Sequence, residues 1–201
     1  MHLIGPDAEE VTHSDILQFF SLRRERFIDQ MGWELTPIGA YEIDQYDFPY
    51  SRFVIAKDAG RCVGGARIMK TNHQYVAFGD HPAKYMLRDF VDGTIQTPMT
   101  NLGATERFPC SDAIWEMTRF VSNGVGTTRA ILDRVNTYLY DSGASGVLTL
   151  SPTNFDVLLA RLGYRAKAMS DPVTFEDGRQ YQAFLTDVEM RNQMTTEAIS
   201  C

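Results

Sequence analysis

The sequence predicts an α/β protein: a single three-layer α/β/α domain on a mixed, mostly antiparallel sheet. Three observations carry this. An N-terminal stretch has helical spacing, two β-prone runs meet at a Gly-containing turn, and the second half alternates strand, helix, strand, helix, strand. With 201 residues, no internal repeat and no Gly/Ser or Pro linker, one domain spanning 1–201 is expected.

Taking the elements in order, Ser14 to Met31 reads as a helix, because Ile16, Phe19, Phe20, Phe27 and Met31 recur on one stripe. Thr12 or Ser14 supplies its N-cap and Gly32 its stop. Arg23 and Phe27, four apart, share a face, with Trp33 just past the end. Arg52 to Lys57 and Arg61 to Met69 are strands joined through Asp58-Ala59-Gly60, and Gly64-Gly65 predicts a bulge or a close backbone approach. From Lys70 to Asp112, Gly79, Pro82, Gly93, Pro98, Gly103 and Pro109 break the pattern, leaving room for short helices around Lys84 to Phe90 and suiting a lid or binding loop. Ala113 to Ser122 is a strand, Thr127 to Tyr140 a helix ended by Gly143, Gly146 to Leu150 a buried strand and Asn154 to Leu162 a helix closed by Gly163. Tyr164 to Ala168 and Gln180 to Leu185 are late strands.

A formal net charge of -7 argues against a nucleic-acid or membrane-surface partner, since both kinds of binding draw on Lys and Arg. No run of about 18 apolar residues and no basic leader precede or interrupt the pattern, so a cytoplasmic protein is expected. Three widely spaced cysteines, Cys62, Cys110 and Cys201, fit neither a disulfide framework nor a metal site, and no metal is expected.

Four segments set charge beside large apolar groups: Arg23 to Glu34, Tyr41 to Asp47, Arg67 inside an apolar strand, and Glu116 with Arg119 inside another. A buried ion costs several kcal/mol unless it is paired, so Arg67, Glu116 and Arg119 each require a partner or water. Arg23, Arg67 and Arg119 can neutralise Asp44, Asp47 and Glu116 in one cluster. Singly, each has a plainer reading: Arg23 as a solvated helix residue, Asp44 and Asp47 as caps of their own loop, Glu116–Arg119 as an edge-strand ion pair, and Trp33 as core. The residues by themselves say "charged cleft in an α/β domain".

Taken together and in order, Arg23-x3-Phe27-x5-Trp33, Glu42-x-Asp44-x2-Asp47, Gly65-Ala66-Arg67, Tyr85-Met86-Leu87 with Phe90, and Trp115-Glu116-Met117-Thr118-Arg119-Phe120 resemble the signature of the acyl-homoserine-lactone synthase family. The order of elements resembles the N-acetyltransferase-like acyltransferase fold. The resemblance implies two steps: the amine of S-adenosylmethionine attacks an acyl thioester, then the methionine carboxylate displaces methylthioadenosine to close a lactone. It implies catalytic roles for Glu116, Arg119, Asp44 and Arg67, with Glu116 as general base held by Arg119. It implies S-adenosylmethionine binding by Arg23, Phe27, Trp33, Asp47 and Phe90, with Phe27 and Trp33 over the sulfonium.

Met117, Phe120, Thr149 and Leu150 are the expected acyl-chain residues, with Val147, Phe155 and Leu158 as further liners. Thr149 resembles a position that favours a 3-oxo chain. The resemblance implies acyl carrier protein or acyl-CoA as the donor; Arg161, Arg165 and Lys167 form a small basic patch that suits an acidic carrier and equally a solvated face, and no cofactor is implied. Strict alternation puts Glu116 and Arg119 on opposite faces, so both can line one cleft only if the strand is irregular, and a bulge is predicted there. Two other readings stay open: another acyl-CoA-dependent N-acyltransferase of the same fold, or an inactive acyl- or nucleoside-binding regulator.

Overall fold

The computed structural model describes residues 1–4, 11–47, 50–73, 75–76, 82–95, 102, 108–175 and 178–191. Much of the irregular 70–112 segment, and Cys201, lie outside them.

Strand β1 (His2–Ile4) pairs with β2 (Arg52–Asp58), which forms a hairpin with β3 (Arg61–Lys70). The two-residue turn holds Ala59 and Gly60 at φ of 46° and 80°, the left-handed pair that matches the twist of a tight hairpin. β3 pairs with β6 (Ile114–Ser122), β6 with β7 (Gly146–Pro152), β7 with β10 (Gln180–Asp187), and β8 (Ala166–Ala168) and β9 (Val173–Thr174) both with β10. All these pairings are antiparallel except β6–β7. A separate ribbon joins β4 (Tyr75–Val76) to β5 (Pro82–Ala83).

Alternation along β2 shows the layering: Val54 and Ala56 pack in the core under α3 (Val125–Asp141) and α4 (Phe155–Arg161), while Ile55 packs with Phe19 and Phe20 of α1 (His13–Arg23). α2 (Met86–Val91) covers Met69, Leu148 and Ala183 on the α1 side. The three layers and the mixed, mostly antiparallel sheet are therefore as expected.

Two local features position the site. α1 starts on a capping box, with Thr12 Oγ1 accepting from Asp15 N (3.2 Å) and the Asp15 carboxylate accepting from Thr12 N (3.1 Å). The predicted single helix does not run on evenly: Arg24–Gln30 is π-helical and ends at Gly32, φ 70°. The wider turn coincides with two anchors on the buried face, the ion-paired Arg23 and the stacked Phe27. The predicted close approach at Gly65 is real: a Cβ there would lie 2.8 Å from the Phe19 ring and 2.8 Å from the Val54 carbonyl.

β6 carries the predicted irregularity. Its register against β3 steps from Arg67↔Thr118 to Gly65↔Val121, so Arg119 and Phe120 together oppose Ala66. Arg119 sits at φ 53°, a left-handed backbone rare for a non-glycine residue. On its other edge β6 pairs with β7 only as far as Glu116↔Leu148, although the strands continue to Ser122 and Pro152. A bulge bends and twists its strand, and β7 is meanwhile held by β10 along its whole length. The two parallel strands consequently splay, leaving a gap between them past Glu116 and Leu148.

Candidate active site

Three guanidinium groups and three carboxylates interlock beneath the 42–47 loop. Arg23 donates to Glu42 (2.5 Å) and, through both terminal nitrogens, to Asp47 (2.7 and 2.8 Å). Arg67 donates to Asp44 (2.5 and 3.1 Å), to Asp47 (2.8 Å) and to Thr118 Oγ1 (2.9 Å). Arg119 reaches Glu42 (3.0 Å) and Asp44 (2.8 Å). Arg23 and Arg67 are fully buried, which is tolerable only because every branch finds a charge-assisted partner. Burial alone would raise the Asp44 carboxyl, but the charges of Arg67, Arg119 and Arg23 outweigh it and hold it below its ordinary range.

Glu116 stands apart from this cluster. It is buried on the α2 side of β6 and accepts from the backbone N–H of Met86 (2.9 Å) and Leu87 (2.7 Å). It thereby caps α2, whose own N-cap residue Tyr85 supplies no side-chain bond. Burial pushes its carboxyl up to about 7, against the lowering effect of the Leu87 and Met86 amides. Each of its oxygens keeps a lone pair for a further donor. α2 is fixed again at Asp89, which accepts from Tyr46 Oη (2.7 Å) and the Lys84 N–H (3.0 Å).

Two cavities meet here. One, about 430 Å³, is lined by Glu42, Asp44, Gln45, Tyr46, Arg119 and the 33–36 segment. The other, about 240 Å³, occupies the splay, between Glu116 to Phe120 of β6 and Thr149 to Pro152 of β7, with Phe27 and Leu87. Trp33, Met86, Phe90, Arg119 and Phe175 line both, so they form the partition. Trp33 stacks on Phe27 (4.9 Å between centroids) and on Phe175 (5.8 Å), and the Arg119 guanidinium lies 5.6 Å from the Phe27 ring.

The expected site residues converge, with corrections. Asp44, Arg119, Trp33 and Phe90 line the charged cavity; Met117, Phe120, Thr149, Leu150 and Glu116 line the apolar one. Arg23, Asp47 and Arg67 line neither and support Glu42, Asp44 and Arg119 from behind. Phe27 lines only the apolar cavity. The expected Glu116–Arg119 pairing does not form: the bulge turns Arg119 toward the 42–47 loop, and Glu42 takes the place in the cluster expected of Glu116. Glu42 belongs to the quoted Glu42-x-Asp44 motif but had no role there; its spacing from Asp44 was the available signal. Thr118 and Tyr46 lie inside quoted motifs without a role there, and Phe175 lies in none. The basic patch is diminished, since Arg165 pairs with Asp187 (3.1 Å) and Glu189.

The mixed sheet, splayed into an apolar slot beside a charge-lined chamber, shares its fold with acyltransferases. Solved structures share the fold. TofI, in a ternary complex with an inhibitor and MTA, matches with a TM-score of 0.74 at 23% identity over 94% of this chain and 92% of that one. BjaI, a CoA-dependent acyl-homoserine lactone synthase solved with SAM and isopentyl-CoA, matches with a TM-score of 0.71 at 20% identity over 94% and 82%. By sequence, the acyl-homoserine-lactone synthase of Acinetobacter nosocomialis is 30% identical over 185 residues, 85% of this chain and 91% of the relative. Residues 7–194 match the autoinducer synthase family model, and the chain belongs to that family. It is an enzyme, an acyltransferase of acyl-homoserine-lactone synthesis. No helix among the described residues is long and apolar enough to cross a membrane.

Proposed function

We propose that the charged cavity takes S-adenosylmethionine and the splay takes the acyl thioester, so that the amine of one meets the carbonyl of the other at the Arg119–Met86 partition. The observation that carries this reading is the pair of unlike cavities sharing one wall, with Glu116 buried on the apolar side of it. Glu42 and Asp44 face the cationic parts of the substrate, Arg119 its carboxylate, and Trp33 adds an aromatic wall to the same cavity. Arg23, Asp47 and Arg67 are positioning residues.

A free α-amine has a pKa of roughly 8, so attack needs a proton acceptor. Glu116, raised to about 7, is matched to that task, directly or through a water held by its spare lone pairs. Glu116 takes one proton from the ammonium, the N–C bond forms as the thioester C–S bond breaks, and the second N–H proton passes to the departing thiolate, which leaves as the thiol. Charge building on the carbonyl oxygen meets backbone N–H groups of β6 past Glu116, where its β7-facing edge is left unpaired. The methionine carboxylate then displaces methylthioadenosine, a neutral leaving group from a sulfonium, and the lactone closes.

The Thr149 hydroxyl is buried and has no hydrogen-bond partner among the described residues, an arrangement costing about 1–3 kcal/mol. An oxygen on the third carbon of the acyl chain would relieve it, which favours a 3-oxo donor. Arg26 lines both the apolar cavity and a neighbouring polar one of about 350 Å³ that also holds Arg61, room suited to the phosphate of acyl carrier protein or acyl-CoA. No cofactor takes part in this reading, and a cytoplasmic location goes with it.

The test is to incubate pure protein with S-adenosylmethionine and a set of acyl carriers, then follow acyl-homoserine lactone and methylthioadenosine by mass spectrometry. Both products in equal amounts are expected. Acylated amine without methylthioadenosine would point to a different N-acyltransferase, and no product with any donor would sink the reading.

A further inference from the structure

We infer that Tyr46 and Asp89 are positioning residues: their hydrogen bond ties the loop that lines the charged cavity to the helix end that presents two amides to Glu116, so that the two halves of the site keep one geometry. The inference rests on the proposed roles of that cavity and of Glu116.

The two halves come from separate stretches of chain. The 42–47 loop brings Glu42 and Asp44 to the charged cavity, and α2 begins at Met86, whose N–H, with that of Leu87, donates to Glu116. Within the loop, the Tyr46 N–H donates to Asp44 Oδ1 (2.8 Å), its carbonyl accepts from the Ser51 hydroxyl, and its ring lies 5.5 Å from the Arg67 guanidinium. The Tyr46 hydroxyl reaches out of the loop and donates to Asp89 Oδ2 (2.7 Å). The same oxygen accepts from the Lys84 N–H (3.0 Å), and the Asp89 N–H donates to the Tyr85 carbonyl (2.9 Å). One aspartate therefore grips the chain on both sides of Met86 and Leu87.

Both side chains are buried, and burial raises the Asp89 carboxyl against the lowering bonds from Tyr46 and Lys84. A buried polar pair fixes an angle and a distance that an apolar contact would leave loose. α2 needs such a fixture, because it is six residues long, too short to stand by its own cooperativity, and Tyr85 gives it no side-chain cap. Asp89 lines neither cavity, so its contribution to turnover passes through Tyr46 and α2. If the tie is cut, the Met86 and Leu87 amides lose an anchor and draw back from Glu116. Those amides hold its carboxyl down against burial, so their retreat lifts it further. The other groups around it stay in place: Arg67 of β3 and Tyr85 and Asp89 of the α2 segment face Glu116, and Arg26, Arg119, Arg179 and Tyr181 share its cavity.

The experiment compares steady-state kinetics of wild type, Tyr46→Phe, Asp89→Asn and Asp89→Ala, each corrected for its folded fraction by circular dichroism. Tyr46→Phe deletes one hydroxyl and keeps the ring beside Arg67. It should raise KM for S-adenosylmethionine and also lower kcat by about tenfold, since a misplacement of about an ångström can cost up to roughly a hundredfold. Its kcat/KM limb near 7 should move to higher pH. Asp89→Ala should lose as much kcat, whereas Asp89→Asn, whose amide oxygen can take both bonds now made by Oδ2, should recover most of it. A role in packing alone would leave kcat and the limb of the folded enzyme where they are. Unchanged kcat and limb in Tyr46→Phe, whatever its KM, would overturn the tie, and so would Asp89→Asn no faster than Asp89→Ala. Should Asp89→Ala fail to fold, Asp89→Asn must still turn over faster than Tyr46→Phe. An inactive wild type would instead refute the proposed function, and a limb that survives in Glu116→Gln would refute its choice of base.

Discussion

Replacing Glu116 with Gln exchanges a buried titrating group for one that cannot titrate, and the consequence is a pH dependence of defined size. In the unfolded chain the carboxyl ionises near 4.5, in the folded protein at about 7. Between those values the folded state holds a proton that the unfolded state has released. This group's contribution is thus fully present below pH 4.5 and is lost as pH rises through about 7. At 1.36 kcal/mol per unit the loss is roughly 3 kcal/mol. Glutamine removes the slope but turns an N–H toward the Met86 or Leu87 amide, a mismatch of about 1–3 kcal/mol. The variant should be the less stable protein in acid and draw level with wild type by neutral pH, as read from urea melts across the range. In kcat/KM the wild type should show a limb near 7 from Glu116 and a second near 8 from the substrate amine, and the variant only the second. A stability difference that stays flat with pH would refute the buried protonated carboxyl, and a limb near 7 that survives in the variant would refute the base.

Three further outcomes follow from the packing and the charges. Arg67→Ala strands Asp44 and Asp47 beside a buried gap and should cost about 3–5 kcal/mol in chemical denaturation. Gly65→Ala forces a methyl to 2.8 Å from the Val54 carbonyl, which cannot swing aside, and should lower stability by about 1–3 kcal/mol, visible as a drop in Tm. Thr149→Val removes the orphaned hydroxyl at near-constant volume; the ratio of 3-oxo to saturated product in a mixed-donor assay should fall by roughly tenfold, with turnover of the saturated donor kept.

The sequence was most legible where a periodic pattern coincided with a chemical conflict. β6 read correctly as a strand from its composition, and its bulge could be inferred because Glu116 and Arg119, three apart, could not otherwise share a cleft. The partners were not legible. Which carboxylate meets Arg119 depends on how far the bulge rotates it, and that rotation, at φ 53°, is a tertiary outcome. The helix at 14–31 was right in place and wrong in winding, because side-chain spacing alone does not distinguish an α from a π turn over one cycle. Phe175 follows a two-residue strand with no period of its own, yet it stacks on Trp33. β1, three residues long, was missed for the same reason.

The arginine–carboxylate lattice under the 42–47 loop is formally balanced, three cations against three anions. A balanced lattice throws almost no field beyond its own width, so it cannot draw a charged molecule in from a distance. What it offers is selectivity on arrival: each oxygen and each guanidinium edge is already aimed by its neighbour, and a ligand is accepted only if its own charges fit that fixed mosaic. Long-range capture is therefore left to the net charge of -7 and should weaken modestly with added salt, while discrimination between S-adenosylmethionine and compounds lacking its carboxylate or amine should be steep.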